Sequence, residues 1–321
     1  MLVPVLLFIL GLILLIKGGD WFVDGAVDLA QRFKVPELII GATIVAIGTT
    51  LPEVMVSANS ALSGHGEIAY GNAIGSVICN TALISAITIA VRPGAVDRKS
   101  FRVPVIFFFA AAIFYMGIAY TTGYFSRAAG IIFLCGFVAY MIMTIVNGKR
   151  NPGSVEVEEM ADEPRPLVKC LVLLVVGAAA IAVGADLLVD NGTLIATALG
   201  VPEAVIALTF VALGTSLPEL VTAVTALAKG HSSLSLGNIV GANLFNLVLV
   251  SGAAATLNPF TVPVTRTVAG MNASLLVDLP VMLFVMAFMT LPALARGKLS
   301  RFQGIVLLAV YAAFCIFQFA L

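Results

Sequence analysis

The sequence predicts an all-α integral membrane protein with about ten transmembrane helices in two inverted-topology five-helix repeats. Three observations predict this. The first is composition: of 321 residues, 60% are hydrophobic and only 11% are charged, whereas an ordinary soluble domain carries about 25% charged residues. Mean hydropathy is +1.10. The second is internal repetition. GTTLPE at 48–53 returns as GTSLPE at 214–219, and 219 − 53 = 166. The same offset takes Asp20 to Asp186, Asp24 to Asp190, Pro36 to Pro202, Thr43 to Thr209, His65 to His231, Asn72 to Asn238, Asn80 to Asn246 and Pro93 to Pro259. A gapless correspondence of that length makes the chain two copies of one unit. The third is the placement of positive charge, which fixes how the copies enter the membrane.

A span needs about 20 apolar residues. Windows of that kind occur at 2–24, 36–62, 68–91, 102–121, 127–147, 167–190, 202–228, 234–257, 275–295 and 302–320. Cytoplasmic loops collect Lys and Arg. With both termini outside, Arg32, Lys34, Arg92, Arg98, Lys99, Arg102, Lys149, Arg150, Arg165, Lys169, Lys229, Arg296, Lys298 and Arg301 all fall inside. Only Arg127 and Arg266 fall outside, and Lys17 lies within the first window. An odd number of helices per repeat then forces the second copy in upside down. That is the plan of secondary transporters, whose site lies at the midplane where the copies meet. The repeats are 1–147 and 167–321, joined by a cytoplasmic linker at 148–166. Apolar residues 2–16 have no basic flank or clear cleavage site, so they read as the first span rather than a signal peptide.

The first helix is expected to end with Asp20 and Asp24, four residues apart. They read as solvated carboxylates at a membrane edge, an ion path being the alternative. Trp21 and Phe22 suit an aromatic belt, and Gly18-Gly19 is consistent with a mobile helix. The second helix carries GTTLPE, the chemical centre of the first repeat. A carboxylate at the bilayer centre costs about 2.5–3.5 kcal/mol on insertion scales, so Glu53 calls for a function. Pro52 has no N–H to give, which leaves the Gly48 carbonyl without its helical donor. Thr49, Thr50 and Glu53 share one helix face. Hydroxyls, loosened carbonyls and a carboxylate are hard oxygen ligands of the kind that hold Ca²⁺ or Na⁺. On the third helix, Asn72, Ser76 and Asn80 form one polar stripe, and Gly71 and Gly75 make a close-approach pattern. Asn72 and Asn238 fit interhelical glue, whereas Asn80 and Asn246 fit the site. His65 and His231 read as turn residues at opposite surfaces.

The fourth and fifth helices read as scaffold. Pro104 and Pro280 (280 − 104 = 176) and Arg127 and Arg301 (301 − 127 = 174) extend the repeat over them. Asp278 is expected at a membrane interface. The linker, with Glu156, Glu158, Glu159, Asp162 and Glu163, reads as flexible and solvated. Cys79, Cys135, Cys170 and Cys315 are scattered through apolar runs, as packing residues rather than a zinc or disulfide set. A net charge of zero argues against nucleic acid as a partner. In the second repeat Ser76 is replaced by Ala242, so the stripe loses an oxygen.

A doubled GTxLPE, each followed by a GNxxG…N helix, resembles the cation/Ca²⁺ exchanger superfamily, specifically its prokaryotic sodium/calcium exchanger branch. The resemblance covers nearly the whole chain. It implies ten helices and a cluster of cation sites between helices 2, 3, 7 and 8. It also implies Glu53 and Glu219 as shared carboxylates, Ala46 and Ala212 as carbonyl donors, and Thr49, Thr215, Thr50 and Ser216 as hydroxyl or carbonyl ligands. Ser76 and Asn80 match the ligands of helix 3, and Asn246 occupies the equivalent position on helix 8. Two departures are Ala242, where members often have Ser, and Asn246, where some have Asp. The family's electrogenic exchange implies a third Na⁺, whose place two central carboxylates leave open.

The expected function is therefore antiport of Ca²⁺ against Na⁺ by alternating access, with helices 1 and 6 as the moving gate and a monomer sufficient for transport. It needs no cofactor. Proton coupling through the same site is the near alternative, since desolvated carboxylates titrate readily. A channel is disfavoured, because channels place ligand rings around an axis. A membrane metalloenzyme is disfavoured by the lack of a midplane His or water-activating base.

Overall fold

The computed structural model describes residues 2–150, 165–199, 214–264, 267–268 and 270–320. Among these, nine helices are long and apolar enough to cross a membrane. They are α1 (Leu2–Phe33), α2 (Glu37–Leu62), α3 (Gly66–Val91), α4 (Arg98–Thr121), α5 (Arg127–Arg150), α6 (Leu167–Ala198), α8 (Ser232–Leu257), α9 (Ser274–Arg296) and α10 (Arg301–Ala320). A shorter apolar helix, α7 (Leu217–Ala228), lies in the window expected at 202–228. Pro202, Thr209 and Ala212, and linker residues 151–164, lie outside the described residues.

Two boundaries differ from expectation. Helix α1 does not stop at Asp24 but continues to Phe33, and α6 continues past Asp190 to Ala198. No helix breaker interrupts α1 before Pro36, whose ring disfavours helix at the preceding residue. Lys34, at φ 53°, turns the chain there. Asp20 and Asp24 are therefore helical residues rather than a frayed end.

Small residues set the packing, and they set it twice. Helices α1 and α6 run antiparallel. A Cβ on Gly11 would lie 2.8 Å from the Gly184 carbonyl, one on Gly18 would lie 2.9 Å from the Gly177 carbonyl, and one on Gly25 would lie 2.8 Å from the Cys170 carbonyl. Gly18 and Gly19 are thus a contact surface, with Gly19 against Val221 and Thr225 of α7. The fifth helix of each repeat packs on the third helix of the other. Gly130 of α5 abuts Gly252 and Thr256 of α8, and Gly304 of α10 abuts Ala86 and Ala90 of α3. Each of these pairs is the repeat image of the other.

The loops follow the same rule. Strand β1 (Tyr124–Phe125) pairs with β2 (Phe260–Thr261), with Tyr124 opposite Thr261. Its image is the bridge between Ala95 and Lys298. Val262 N–H donates to the Gly123 carbonyl at 2.8 Å, and Val96 N–H donates to the Gly297 carbonyl at 2.9 Å. Gly123 and Gly297 both hold left-handed backbone, φ 62° and 68°, which glycine adopts without steric cost. A second hairpin, β3 (Thr267–Val268) with β4 (Met271–Asn272), has no such image among the described residues.

The interior is built on α3 and α8, with Tyr70, Tyr115, Phe125 and Phe133 clustered at one end. Lipid-facing side chains are large and apolar, including Leu6, Ile13, Ile113 and Ile142. Asp278, at the start of α9, is shielded by the protein rather than exposed. It is buried and accepts a 2.7 Å hydrogen bond from Gln318 of α10.

Candidate cation site

Helix α2 enters the protein centre through a wider π turn, Gly41–Val45. Tyr140 of α5 donates to the Ala42 carbonyl at 2.8 Å. The helix then runs α-helically through GTTLPE with Pro52 inside it. Glu53 is fully buried. Neither of its carboxylate oxygens has a hydrogen-bond partner, and the Thr50 hydroxyl is equally unpartnered. Thr49 Oγ1 lies 3.4 Å from the carbonyl of buried Ala46 and 3.2 Å from Asn238 Oδ1 across the interface.

The second motif is built differently. Residues 214–216 form a turn, and α7 begins at Leu217 with Pro218 in its first turn, where proline is tolerated. Thr215 is half-buried in that turn, and Ser216 is the buried N-cap residue without a side-chain capping bond. Glu219 sits in the first helical turn, where the helix dipole favours negative charge. It too is fully buried, with both oxygens unpartnered. Thr49 of the first repeat lies beside it, and the two carboxylates interact with each other electrostatically.

Helices α3 and α8 supply the amides. Each carries a π turn that begins at its asparagine: Asn80–Ser85 and Asn246–Val250. Single π turns inside α-helices are frequent at functional sites because they re-aim side chains and free carbonyls. Serines close both turns, Ser85 Oγ donating to the Thr81 carbonyl at 2.6 Å and Ser251 Oγ to the Asn246 carbonyl at 3.1 Å. Asn80 is fully buried with both amide atoms unpartnered. Asn246 turns its Nδ2 back to the Ala242 carbonyl at 3.1 Å and leaves Oδ1 unpartnered. Ser76 is buried one turn before Asn80.

Native interiors rarely leave a buried carboxylate unsatisfied, because its desolvation is then uncompensated. Here two are left so, beside an unpartnered hydroxyl and two unpartnered amide oxygens. Among the described residues no Lys or Arg pairs with either glutamate, and no trio of His, Cys, Asp or Glu gathers as an ordinary metal cluster. The arrangement is a set of hard oxygens with net negative charge and no resident cation of the protein's own.

Other residues resolve as follows. Asn72 is glue, donating to Ser57 Oγ at 2.9 Å and to the Glu53 carbonyl at 3.3 Å. Asn238 instead reaches Thr49. Gly237 and Gly241 let α8 press on Leu38 and Ala42 of α2. Ala212 lies outside the described residues. Three features were not visible from spacing. Asn243 bridges to Thr81 at 2.7 Å, off the expected stripe. The Cys79 thiol lies beside Ser216 and Glu219. His231 pairs with Glu37 at 2.8 Å.

The family model for the sodium/calcium exchanger protein matches residues 3–146 and 169–320. The chain belongs to the sodium/calcium exchanger protein family. The two matched blocks of this exchanger flank the polar linker expected at 148–166. The exchanger is 37% identical over 309 residues to an uncharacterized membrane protein of Methanocaldococcus jannaschii, covering 95% of this chain and 94% of the relative. It is 31% identical to the sodium/calcium exchanger MaX1 of Methanosarcina acetivorans, covering 98% of each chain. Its structure superposes on the sodium-calcium exchanger NCX_Mj, soaked with Na⁺ and Sr²⁺, at a TM-score of 0.80, with 34% identity and 97% of each chain covered. MaX1 and NCX_Mj are sodium/calcium exchangers by name, and this chain is a membrane exchanger rather than an enzyme.

Proposed function

We propose that the exchanger moves Ca²⁺ against Na⁺ across the membrane by alternating access, with Glu53 and Glu219 as the shared ligands at the midplane. The observation that carries this reading is the pair of fully buried carboxylates on repeat-related motifs, with four oxygens unpartnered. Thr49, Thr50, Thr215, Ser216, Ser76, Asn80, Asn246 and the carbonyls of Ala46 and Ala212 complete the ligand set. The name of the relative MaX1 and the structure of NCX_Mj support Na⁺ and Ca²⁺ as the ions.

Coupling follows from electrostatics. An empty site leaves two carboxylates together in a low-dielectric interior, where like charges repel strongly and water cannot screen them. A loaded site neutralises them. Only loaded forms pass readily between the two orientations, so flux of one ion requires counter-flux of the other. Helices α1 and α6, locked together by their glycine faces, form the body that slides over the rest. Both termini face outside, the 148–166 linker lies in the cytoplasm between repeats 1–147 and 167–321, and a monomer embedded in lipid suffices.

The test is Na⁺-gradient-driven uptake of radiolabelled Ca²⁺ into proteoliposomes. Glu53→Gln and Glu219→Gln each abolish it while the purified variants remain folded and monodisperse. Wild-type rates in both variants would refute the assignment. Replacing the Na⁺ gradient by a pH gradient yields no uptake if Na⁺ is the coupling ion.

A further inference from the structure

Two clefts in this molecule are repeat images of each other, and their chemistry is opposite. One lies between the end of α3 and the start of α8, lined by Thr88, Arg92, Gly94, Ser232, Ser233 and Ser235 among others. The other lies between the start of α3 and the end of α8, where Gly66, Glu67 and Asn258 take part in the lining. The 166-residue offset relates Gly66 to Ser232, Glu67 to Ser233, Ala69 to Ser235 and Arg92 to Asn258. The backbone that builds such a cleft therefore needs neither the serines nor the arginine. The proposed topology places the serine-lined cleft on the cytoplasmic face.

The donors of that cleft are unused. The first turn of α8 has no side-chain cap, and the N–H groups of Ser232, Ser233 and Leu234 have no acceptor among the described residues. A helix N-terminus carries about half a positive charge and receives anions on its free N–H groups. Ser235 lines the cleft at 2% exposure, and its Oγ has no partner. A buried hydroxyl left unpaired costs free energy that a ligand recovers. Arg92 has no ion-pair partner among the described residues. The negative groups nearby are engaged. Glu37 pairs with His231 at 2.8 Å. Asp97 caps α4 through the N–H groups of Lys99 and Ser100. Arg301 Nη2 lies 3.5 Å from the Val91 carbonyl at the end of α3. Free N–H groups, a free hydroxyl and an unpaired guanidinium remain, all of them donors.

We propose that this cleft binds one phosphoryl group, with its oxygens on the α8 N-terminus and the Ser235 hydroxyl and its charge against the Arg92 guanidinium. Guanidinium suits phosphate because its planar N–H pairs match two phosphate oxygens. The group arrives on an anionic phospholipid of the facing leaflet or as free phosphate. Either occupant joins α3 to α8, one central helix from each repeat.

The experiment reads the melting temperature of the full-length exchanger in phosphatidylcholine nanodiscs, with and without inorganic phosphate, and in nanodiscs containing phosphatidylglycerol. A ligand that binds only the folded form raises it with ligand concentration. If free phosphate is the occupant, phosphate raises it in both kinds of nanodisc. If the lipid is, phosphatidylglycerol raises it and phosphate adds nothing there. In either case Arg92→Gln and Ser235→Ala each weaken the apparent affinity at least about tenfold, the loss expected for a hydrogen bond to a charged group. Lys99→Gln removes the same charge from the same face outside the cleft lining and keeps the response. Ser235→Ala deletes a buried unpaired hydroxyl, so without ligand it melts no lower than the parent, and its lost response is not a folding defect. Three results overturn the proposal: no rise beyond that given by sodium chloride at equal ionic strength, a rise that either cleft variant keeps in full, or an equal loss in Lys99→Gln, which would assign the response to diffuse charge on that face.

Discussion

The first and second repeats share their centres and differ at their rims. At the centre, glutamate follows proline in both motifs, asparagine opens both π turns, and glycine contacts recur as images of each other. At the rim, the first repeat's Asp20, Asp24 and Asp28 are tethered. Lys229 Nζ lies 2.7 Å from Asp24 and 3.3 Å from Asp20, and Arg165 lies 3.3 Å from Asp28. The images of Asp20 and Asp24, Asp186 and Asp190 on α6, have no ion-pair partner among the described residues, and the image of Lys229 is Ser63. The difference teaches which parts are bound by the two-fold relation. Groups that share one ion must match across the pseudo-axis. Groups at opposite membrane faces meet different compartments and are free to diverge.

The largest expected effects break the central match. On the proposed reading that both glutamates serve one site, Glu53→Gln and Glu219→Gln should lose Ca²⁺ uptake to the same degree. Retention of uptake by either alone would show that the halves are not equivalent. Next is the packing that holds the halves together. A Cβ on Gly241 would lie 2.7 Å from Ala42 backbone, and backbone cannot swing aside as a side chain can. Gly241→Leu should cost at least the 1–3 kcal/mol typical of overpacking, read as a lowered detergent-solubilised melting temperature. Gly71→Leu, at a position with nothing within 4 Å among the described residues, should change stability far less. Asn72→Ala removes two hydrogen bonds and should cost about 1–3 kcal/mol.

Much of this was legible in the sequence, and the limits have physical causes. The 166-residue offset gave the repeat, the ten apolar windows gave the odd helix count that inverts it, and Lys and Arg placement gave the expected orientation. The glutamates stood out because a carboxylate in an apolar run is expensive. Helix ends were harder. Asp20 and Asp24 look like the solvated end of a span, yet with Asp28 they lie on one face of a continuing helix and are met by Lys229 and Arg165, far away in sequence. Periodicity within a helix does not reveal such partners. The same holds for Cys79 beside Glu219 and for Thr81 with Asn243, single polar atoms whose neighbours belong to the other repeat. The asparagine stripes were visible, but the π turns that begin at Asn80 and Asn246 leave no mark in hydropathy.

Smaller effects belong to the rim. Lys229→Ala should release α1 from the α7–α8 turn. These groups are about one-third exposed, so the cost should be about 0.2–1 kcal/mol, detectable as faster backbone hydrogen exchange near Asp20 and Asp24. No comparable change is expected from Ser63→Ala at the image position.

The smallest effect concerns pH. The Glu37 carboxylate holds the His231 imidazole above the ordinary histidine range, chiefly through their 2.8 Å hydrogen bond. Asp24 adds to that shift, while partial burial and Lys229 oppose it. A raised value means that the ion pair contributes fully at pH below the unperturbed histidine pKa of about 6.5. Its contribution fades as pH rises through the folded-state value, so the tether between α2 and the α7–α8 turn loosens on the alkaline side. His65, the image residue, has no side-chain partner among the described residues. His231→Gln should therefore flatten the alkaline limb of the transport pH profile, by no more than about fivefold for so exposed a pair, and His65→Gln should leave it unchanged. An unchanged limb in the His231 variant would place the pH response at the buried carboxylates, which the two repeats share.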